Sequence, residues 1–339
     1  MTTTDPDHPI RVGTRASLLA VTQTNLVVAA LRAAGATVEV ETVTTRGDSG
    51  VDVPIVSLGS DGVFVRELEQ ALLDGRIDAA VHSLKDLPTA ETPGLALACV
   101  PARALPFDVL VCREPATLAS LPSGAVVGTS SIRRVMQLRA MRDDLDIRPI
   151  RGNVDTRLRR LDAGDYDALI LAGAGLQRLG RGERITAVLE PPGFWPAIAQ
   201  GALVVQIRTD DERMRTWLDP LDDGTTHAAV VAERACLATL AGGCLAPIGG
   251  WARLDDEGRL VLGGCVLGES GAGVQRVVAE ETTPPLLPSG RGASPRMEFP
   301  DAVDLGRRVA VRLLDQGAAG ILDRMRSAVA AAGPSPPAH

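Results

Sequence analysis

Aromatic side chains are almost missing from this chain: Phe, Tyr and Trp together make up 2% of its 339 residues. A platform that stacks the bases of single-stranded nucleic acid needs such rings at intervals, which argues against that partner. The formal net charge is −7, so generic attraction to nucleic acid or to an anionic membrane is also disfavoured. A site for an anion must then be a local concentration of arginine working against the overall sign. No apolar run approaches the ~18 residues of a spanning helix. The Thr- and Asp-rich residues 1–9 hold no apolar stretch of the secretory kind. Cysteines are few and odd in number, at positions 99, 112, 236, 244 and 265, with no Cys-x-x-Cys pair, and the four histidines are scattered. That spacing speaks against a disulfide framework and against a metal site. The expectation is a cytoplasmic protein with free thiols and no bound metal.

What is present is an apolar share of 45% carried by Ala, Val and Leu. The length predicts two or three domains. Through the first two-thirds, short apolar runs alternate with amphipathic stretches, the pattern of a parallel α/β sheet. A strand at 10–13 leads into a helix capped by Ser17 and reaching about residue 32. The run 63–73 places Val65, Leu68 and Leu72 on one helical face. Further strands are expected at 38–44, 79–82, 95–100, 109–112, 126–128 and 168–171, with a return strand at 203–207. Proline-rich punctuation at 101–106 and 190–196 suggests a second α/β domain inserted into the first. After residue 221 the texture changes to a helix, three strands at 249–254, 260–267 and 275–281, and a helical region over 301–331. The predicted division is residues 1–104 with 201–222, then 105–200, then a small α+β domain at 223–332 with an antiparallel sheet. Residues 333–339 read as a disordered tail.

Chemistry concentrates in three places. Residues 133–160 contain nine arginines, no lysine and four aspartates. Arginine offers a planar fork that grips carboxylate or phosphate bidentately, although charge alone equally describes a solvated face with salt bridges. Position adds information. Arg15, the run Gly128-Thr-Ser-Ser131 with Arg133 and Arg134, Arg151 with Arg157, and Arg178 all follow predicted strands at the start of a helix. Strand-to-helix junctions of one α/β unit line the cleft at the carboxyl ends of the strands. The second place is His82-Ser-Leu-Lys-Asp-Leu-Pro88, where Asp86 lies just past a strand. A carboxylate there suits general acid–base work, and an Asx-turn suits it as well. The third is Gly242-Gly-Cys-Leu-Ala-Pro-Ile-Gly249. Cys99, Cys112 and Cys265 sit in or beside strand-like runs and Cys236 on a helix, whereas Cys244 lies on a turn.

Together these segments resemble one family. Gly13-Thr-Arg-Ala-Ser17, Thr45-Arg-Gly-Asp48, His82-Ser-Leu-Lys-Asp86, Gly128-Thr-Ser-Ser-Ile-Arg-Arg134 and Arg151-Gly-Asn-Val-Asp-Thr-Arg157 are similar to successive porphobilinogen deaminase (hydroxymethylbilane synthase) motifs. Ala174-Gly-Leu-Gln-Arg-Leu-Gly180, the Ala-Gln-Gly-Ala ending at Ala202, and the segment around Cys244 continue the series in family order. The resemblance implies two domains folded like periplasmic binding proteins with the active site between them, and a third carrying the cofactor. It implies a covalent dipyrromethane cofactor, one per chain, on Cys244 through a thioether, and Asp86 as the catalytic carboxylate. Porphobilinogen is the implied substrate, and its acetate and propionate groups call for Arg15, Lys85, Arg133, Arg134, Arg151, Arg157 and Arg178. Ser17, Ser83, Thr129, Ser130 and Ser131 would add hydrogen bonds, and Phe64 would border a lid segment. The implied product is linear hydroxymethylbilane, made by a monomeric transferase.

The chain departs from the family pattern at several places. Asp61 stands in a segment that often carries Lys. Phe107 and Leu105 replace an arginine and an acid, and Gln206 stands where Glu is usual. Rival readings are a non-catalytic polycarboxylate-binding module and a weakly active deaminase relative. An anion-regulated transcription factor would need a basic recognition helix, and none is visible.

Overall fold

The computed structural model describes residues 8–43, 65–241, 246–271, 273–284 and 299–332. Cys244, Phe64, Asp61, the motif at 45–48 and the tail 333–339 lie outside the described residues. The chain begins with β1 (Ile10–Thr14), α1 (Leu18–Ala33), β2 (Val38–Thr42), α2 (Arg66–Leu73), β3 (Ala79–Ser83) and β4 (Leu95–Cys99). The middle holds β5 (Asp108–Cys112), β6 (Val126–Gly128), α3 (Ile132–Met141), β7 (Asp146–Arg148), α4 (Val154–Asp162), β8 (Ala168–Ala172), α5 (Gly173–Arg178) and β9 (Ala187–Leu189). Next come β10 (Leu203–Arg208), α6 (Glu212–Leu218), α7 (Gly224–Thr239) and β11 (Ile248–Leu254). Last are β12 (Leu260–Ser270), β13 (Gly273–Thr282), α8 (Phe299–Leu313) and α9 (Ala319–Ala332). Two compact units divide the chain: Met1–Arg103 with Ala202–His227, and Ala104–Gly201 with Ala228–His339.

In the first unit a sheet runs in the order β2-β1-β3-β10-β4. Strand β1 pairs in parallel with β2 and β3, while β10 is antiparallel to β3 and β4. Helix α1 starts because Ser17 is extended and its hydroxyl accepts the Ala20 N–H, which satisfies one orphan donor of the first turn. Its buried Val27, Val28 and Leu31 pack with Ile10, Val12 and Val205. Helix α2 covers other sheet residues, bringing Leu68, Ala71 and Leu72 onto Ala80 and Leu95.

The second unit holds a sheet of the same plan, β7-β6-β8-β5-β9, in which β5 is the antiparallel strand. The alternation of elements predicted parallel sheets; each is instead mixed. Strands β5 and β10 are the first strands after the crossings at 103–104 and 201–202, and each runs antiparallel to its neighbours. Strands β7 and β9, three residues each, are too short to show a period in sequence. The departures at 105 and 107 are apolar contacts here. Leu105 packs with the cluster around Val109 and Leu171, and the Phe107 ring meets Trp251 edge-on at a centroid distance of 4.9 Å.

The same unit contains the antiparallel sheet β11-β12-β13 with α8 and α9 beside it. The helical region expected as one piece is broken at Gly317, whose φ is 103°. Trp195 is buried together with Met136, Cys265 and Leu267. It packs so tightly on bare strand that a Cβ on Gly263 would lie 2.3 Å from its ring.

Candidate active site

In the first unit the candidate residues collect at the carboxyl ends of two parallel neighbours, β1 and β3, which are in register at Gly13 and Ala80. Arg15 follows β1. Strand β3 ends at Ser83 and turns at once into a 3-10 turn over Leu84–Asp86. That turn is pinned from below: Leu84 is buried and its N–H donates to the Ala202 carbonyl at 3.1 Å. Leu87 is buried on the other side, so Asp86 between them is exposed. Lys85 beside it is the single lysine of the chain. The Ser83 hydroxyl meets the Gln23 amide at 2.9 Å, and the Ser17 hydroxyl is occupied as the α1 cap.

In the second unit the arginine-bearing junctions sit at the carboxyl ends of β6, β7 and β8, which are parallel neighbours. Arg133 and Arg134, expected to grip ligand carboxylates, are buried and turned onto Asp108. Arg133 donates to Asp108 Oδ2 at 2.6 Å and to the Trp195 carbonyl at 2.5 Å. Arg134 donates to Asp108 Oδ1 through Nε and Nη2 at 2.9 and 2.7 Å, and to the Ile170 carbonyl. Gln200 adds a further donor to the same carboxylate at 3.1 Å. Burial pushes the Asp108 carboxyl up, but the two guanidinium groups outweigh it and hold it well below the usual range. Burial, with the neighbouring charge of Arg134, lowers Arg133 against the pull of Asp108. The pair is thus committed internally because a charged carboxylate at the start of apolar β5 has to be neutralised in place. Sequence reading missed Asp108 and Gln200; an acid opening the run Asp108–Cys112 was the available signal.

The Ser130 hydroxyl, expected to serve a ligand, also has a local partner. It donates to the Ile150 carbonyl at 2.7 Å and accepts the Ile150 N–H. Thr129 is buried and its hydroxyl accepts the Ser131 N–H. Ser131 caps α3 without a side-chain bond.

Arg151, Arg157 and Arg178 behave differently. Asn153 caps α4 by accepting the Thr156 N–H, which starts the helix with Arg157 in its first turns. Among the described residues Arg157 bonds to the Gly152 carbonyl, at 2.8 Å, and Arg178 to the Gly201 carbonyl, at 2.6 Å. Gly201 has a φ of +88°, and a Cβ there would collide with the Ala104 carbonyl at 2.6 Å; glycine is required. Arg151 is exposed. Burial pulls the Arg178 guanidinium down to about 10. Burial, reinforced by the charge of Arg134, lowers Arg157. Among the described residues neither Arg157 nor Arg178 meets a carboxylate. Partly buried cations without an anion are costly to hold, and the arrangement suits an anionic ligand.

Four of the five thiols are free and buried. Burial pushes Cys99 and Cys236 up to about 12 and Cys265 to about 11, so none is a ready nucleophile. Among the described residues no cluster of His, Cys, Asp or Glu could hold a metal ion, and no helix is long and apolar enough to cross a membrane.

Two mixed α/β sheets of one plan, with arginines and an exposed aspartate at the carboxyl ends of parallel strands, and a smaller antiparallel sheet define a mixed α/β protein with a small antiparallel C-terminal part. Residues 10–216 match the family described as porphobilinogen deaminase, dipyromethane cofactor binding domain, and residues 227–315 its C-terminal domain. The chain belongs to the porphobilinogen deaminase family. It is 46% identical to the porphobilinogen deaminase of Syntrophobacter fumaroxidans, over 94% of this chain and 98% of the relative. With the Mycobacterium marinum enzyme the identity is 48%, over 91% and 95%. A Burkholderia cenocepacia nutrient binding protein of known structure overlays with a TM-score of 0.40 at 13% identity, over 62% of this chain and 90% of that one.

Proposed function

We propose that Cys244 carries the dipyrromethane through a thioether, and that Asp86 is the catalytic carboxylate of the deaminase. The family activity is that of a transferase in porphyrin biosynthesis, joining four porphobilinogen molecules with loss of ammonia to give hydroxymethylbilane. The carrying observation is the ordered match of both family domains over most of the chain. The residues fit the group as well. Four thiols are buried and three of them are strongly held in the protonated form, which supports the reading of Cys244 as the attachment site. Arg157 and Arg178 lack carboxylate partners among the described residues, and with Arg151 they suit the acetate and propionate groups of bound pyrroles.

When bound, the dipyrromethane supplies the free α-carbon at which a new pyrrole unit is joined. Asp86, exposed on its pinned turn, accepts pyrrole N–H bonds and stabilises the positive charge that develops as porphobilinogen loses ammonia. The same carboxylate moves the proton that this departure requires. Lys85 and Arg15, past the carboxyl ends of neighbouring strands β3 and β1, orient substrate carboxylates, with Thr129 and Ser131 donating beside the second set. Arg133 and Arg134 act from the clamp on Asp108. The same reading takes the chain as a cytoplasmic monomer of three domains divided near 104, 200 and 223.

The test is an intact mass under denaturing conditions with peptide mapping. An adduct of two linked pyrrole units on the Cys244 peptide, absent in Cys244→Ala, is expected, together with loss of turnover in Asp86→Asn. An adduct elsewhere, or full turnover in Asp86→Asn, refutes the assignments.

A further inference from the structure

One buried titratable group has no part in the chemistry above. His82 lies on β3, directly before Ser83, and is 6% exposed. On the antiparallel neighbour β10, Gln206 is in register with Ala80, which puts it on the sheet face shared by Ala80 and His82. Gln206 is itself 3% exposed. Its Nε2 donates to Glu69 Oε1 on α2 at 3.0 Å. The Thr92 hydroxyl donates to the same oxygen at 2.9 Å.

An ionised carboxylate only accepts hydrogen bonds. Glu69 therefore fixes which end of the Gln206 amide is its NH2 and forces Oε1 the other way. Among the described residues two buried polar atoms here lack a hydrogen-bond partner: Gln206 Oε1, an acceptor, and His82 Nε2. Gln206 is the polar side chain that bears on the imidazole, and Arg15 is the charged group whose field reaches it among the described residues. The leftover atoms are complementary only if Nε2 carries a hydrogen.

We propose that Glu69, acting through the Gln206 amide, locks His82 as the uncharged Nε2–H tautomer, and that this makes His82 a positioning residue for the turn bearing Asp86. The chemical logic is one of strict complementarity. Carboxylate sets amide, amide sets imidazole, and the imidazole stands on β3 one residue before Ser83, from which the Leu84–Asp86 turn departs. Burial, and then the nearby charge of Arg15, hold the imidazole well below its ordinary value, at about 4, so the ring stays neutral through the working range. The positioning role rests on the reading of Asp86 as the catalytic carboxylate; the tautomer does not.

The chain has four histidines, few enough for long-range 1H–15N spectra of the holoenzyme to resolve each ring. His82 is expected as Nε2–H with no titration between pH 5.5 and 8. A ring in the Nδ1–H form, or one titrating near its ordinary value of about 6.5, overturns the lock. Glu69→Gln keeps the volume but adds a donor, so the Gln206 amide can reverse. The expected result is a mixture of His82 tautomers and a kcat reduced about threefold to tenfold, with KM for porphobilinogen changed less. Mixed tautomers with unchanged kcat overturn the positioning role. The Asp86→Asn measurement judges the catalytic assignment separately.

Discussion

Changing Asp108 to Asn keeps the side chain's shape and removes the charge on which two buried arginines converge. Three charge-assisted bonds, at 2.6, 2.7 and 2.9 Å, end on its two oxygens, and Asp108 is fully buried. Asparagine offers one acceptor oxygen in place of two, and its NH2 group would face a guanidinium donor. Removing one partner of a buried ion pair costs about 3–5 kcal/mol, because the remaining charge is left uncompensated; here two such charges remain. At a denaturant slope of about 2–3 kcal/mol/M, that is a loss of about 1–2.5 M in the urea midpoint of the second unit. Tryptophan fluorescence reads it, since Trp195 and Trp251 belong to that unit and Trp217 to the other. A midpoint within about 0.2 M of the wild type, well inside the range expected for neutral surface changes, would refute the claim that Asp108 neutralises the arginine pair.

Two further outcomes follow from the packing and the buried histidine. Gly263→Ala places a methyl where the Trp195 ring stands at 2.3 Å, so overpacking of about 1–3 kcal/mol is expected. It should show as a lower melting temperature with shifted tryptophan emission, and an unchanged protein contradicts the contact. His82 has a folded value of about 4 against 6.5, so the unfolded state binds the extra proton between those values. Its contribution is complete above pH 6.5 and drains away as the pH falls towards 4, about 3 kcal/mol in all. Urea midpoints at pH 7 and pH 4.5 measure it, and His82→Gln should flatten the slope; an equal slope in both proteins sinks the assignment.

Much of this molecule was legible in its sequence wherever the cause is local. Ser17 and Asn153 cap their helices as short-range chemistry requires, and Leu68 and Leu72 mark the buried stripe of α2. Arg15, Arg151, Arg157 and Arg178 lie at strand-to-helix junctions because a strand that ends in a helix cap must put the next residues at the carboxyl end of the sheet. The burial of Cys99, Cys112 and Cys265 followed from their apolar runs in the same way.

What only the tertiary structure decided involves partners far apart in the chain. The antiparallel sense of β5 and β10 depends on how the chain crosses between segments, and no residue in either strand encodes it. Arg133 and Arg134 carry the same charge whether they face a ligand or Asp108, and packing against Trp195 and Gln200 chose Asp108. Ser130 was spent on Ile150, twenty residues on. The Gln206–Glu69 bond joins residues 137 positions apart. Hydrogen-bonding capacity belongs to the residue type, but whether it is spent inside the protein or kept for a ligand depends on which groups burial brings within about 3 Å.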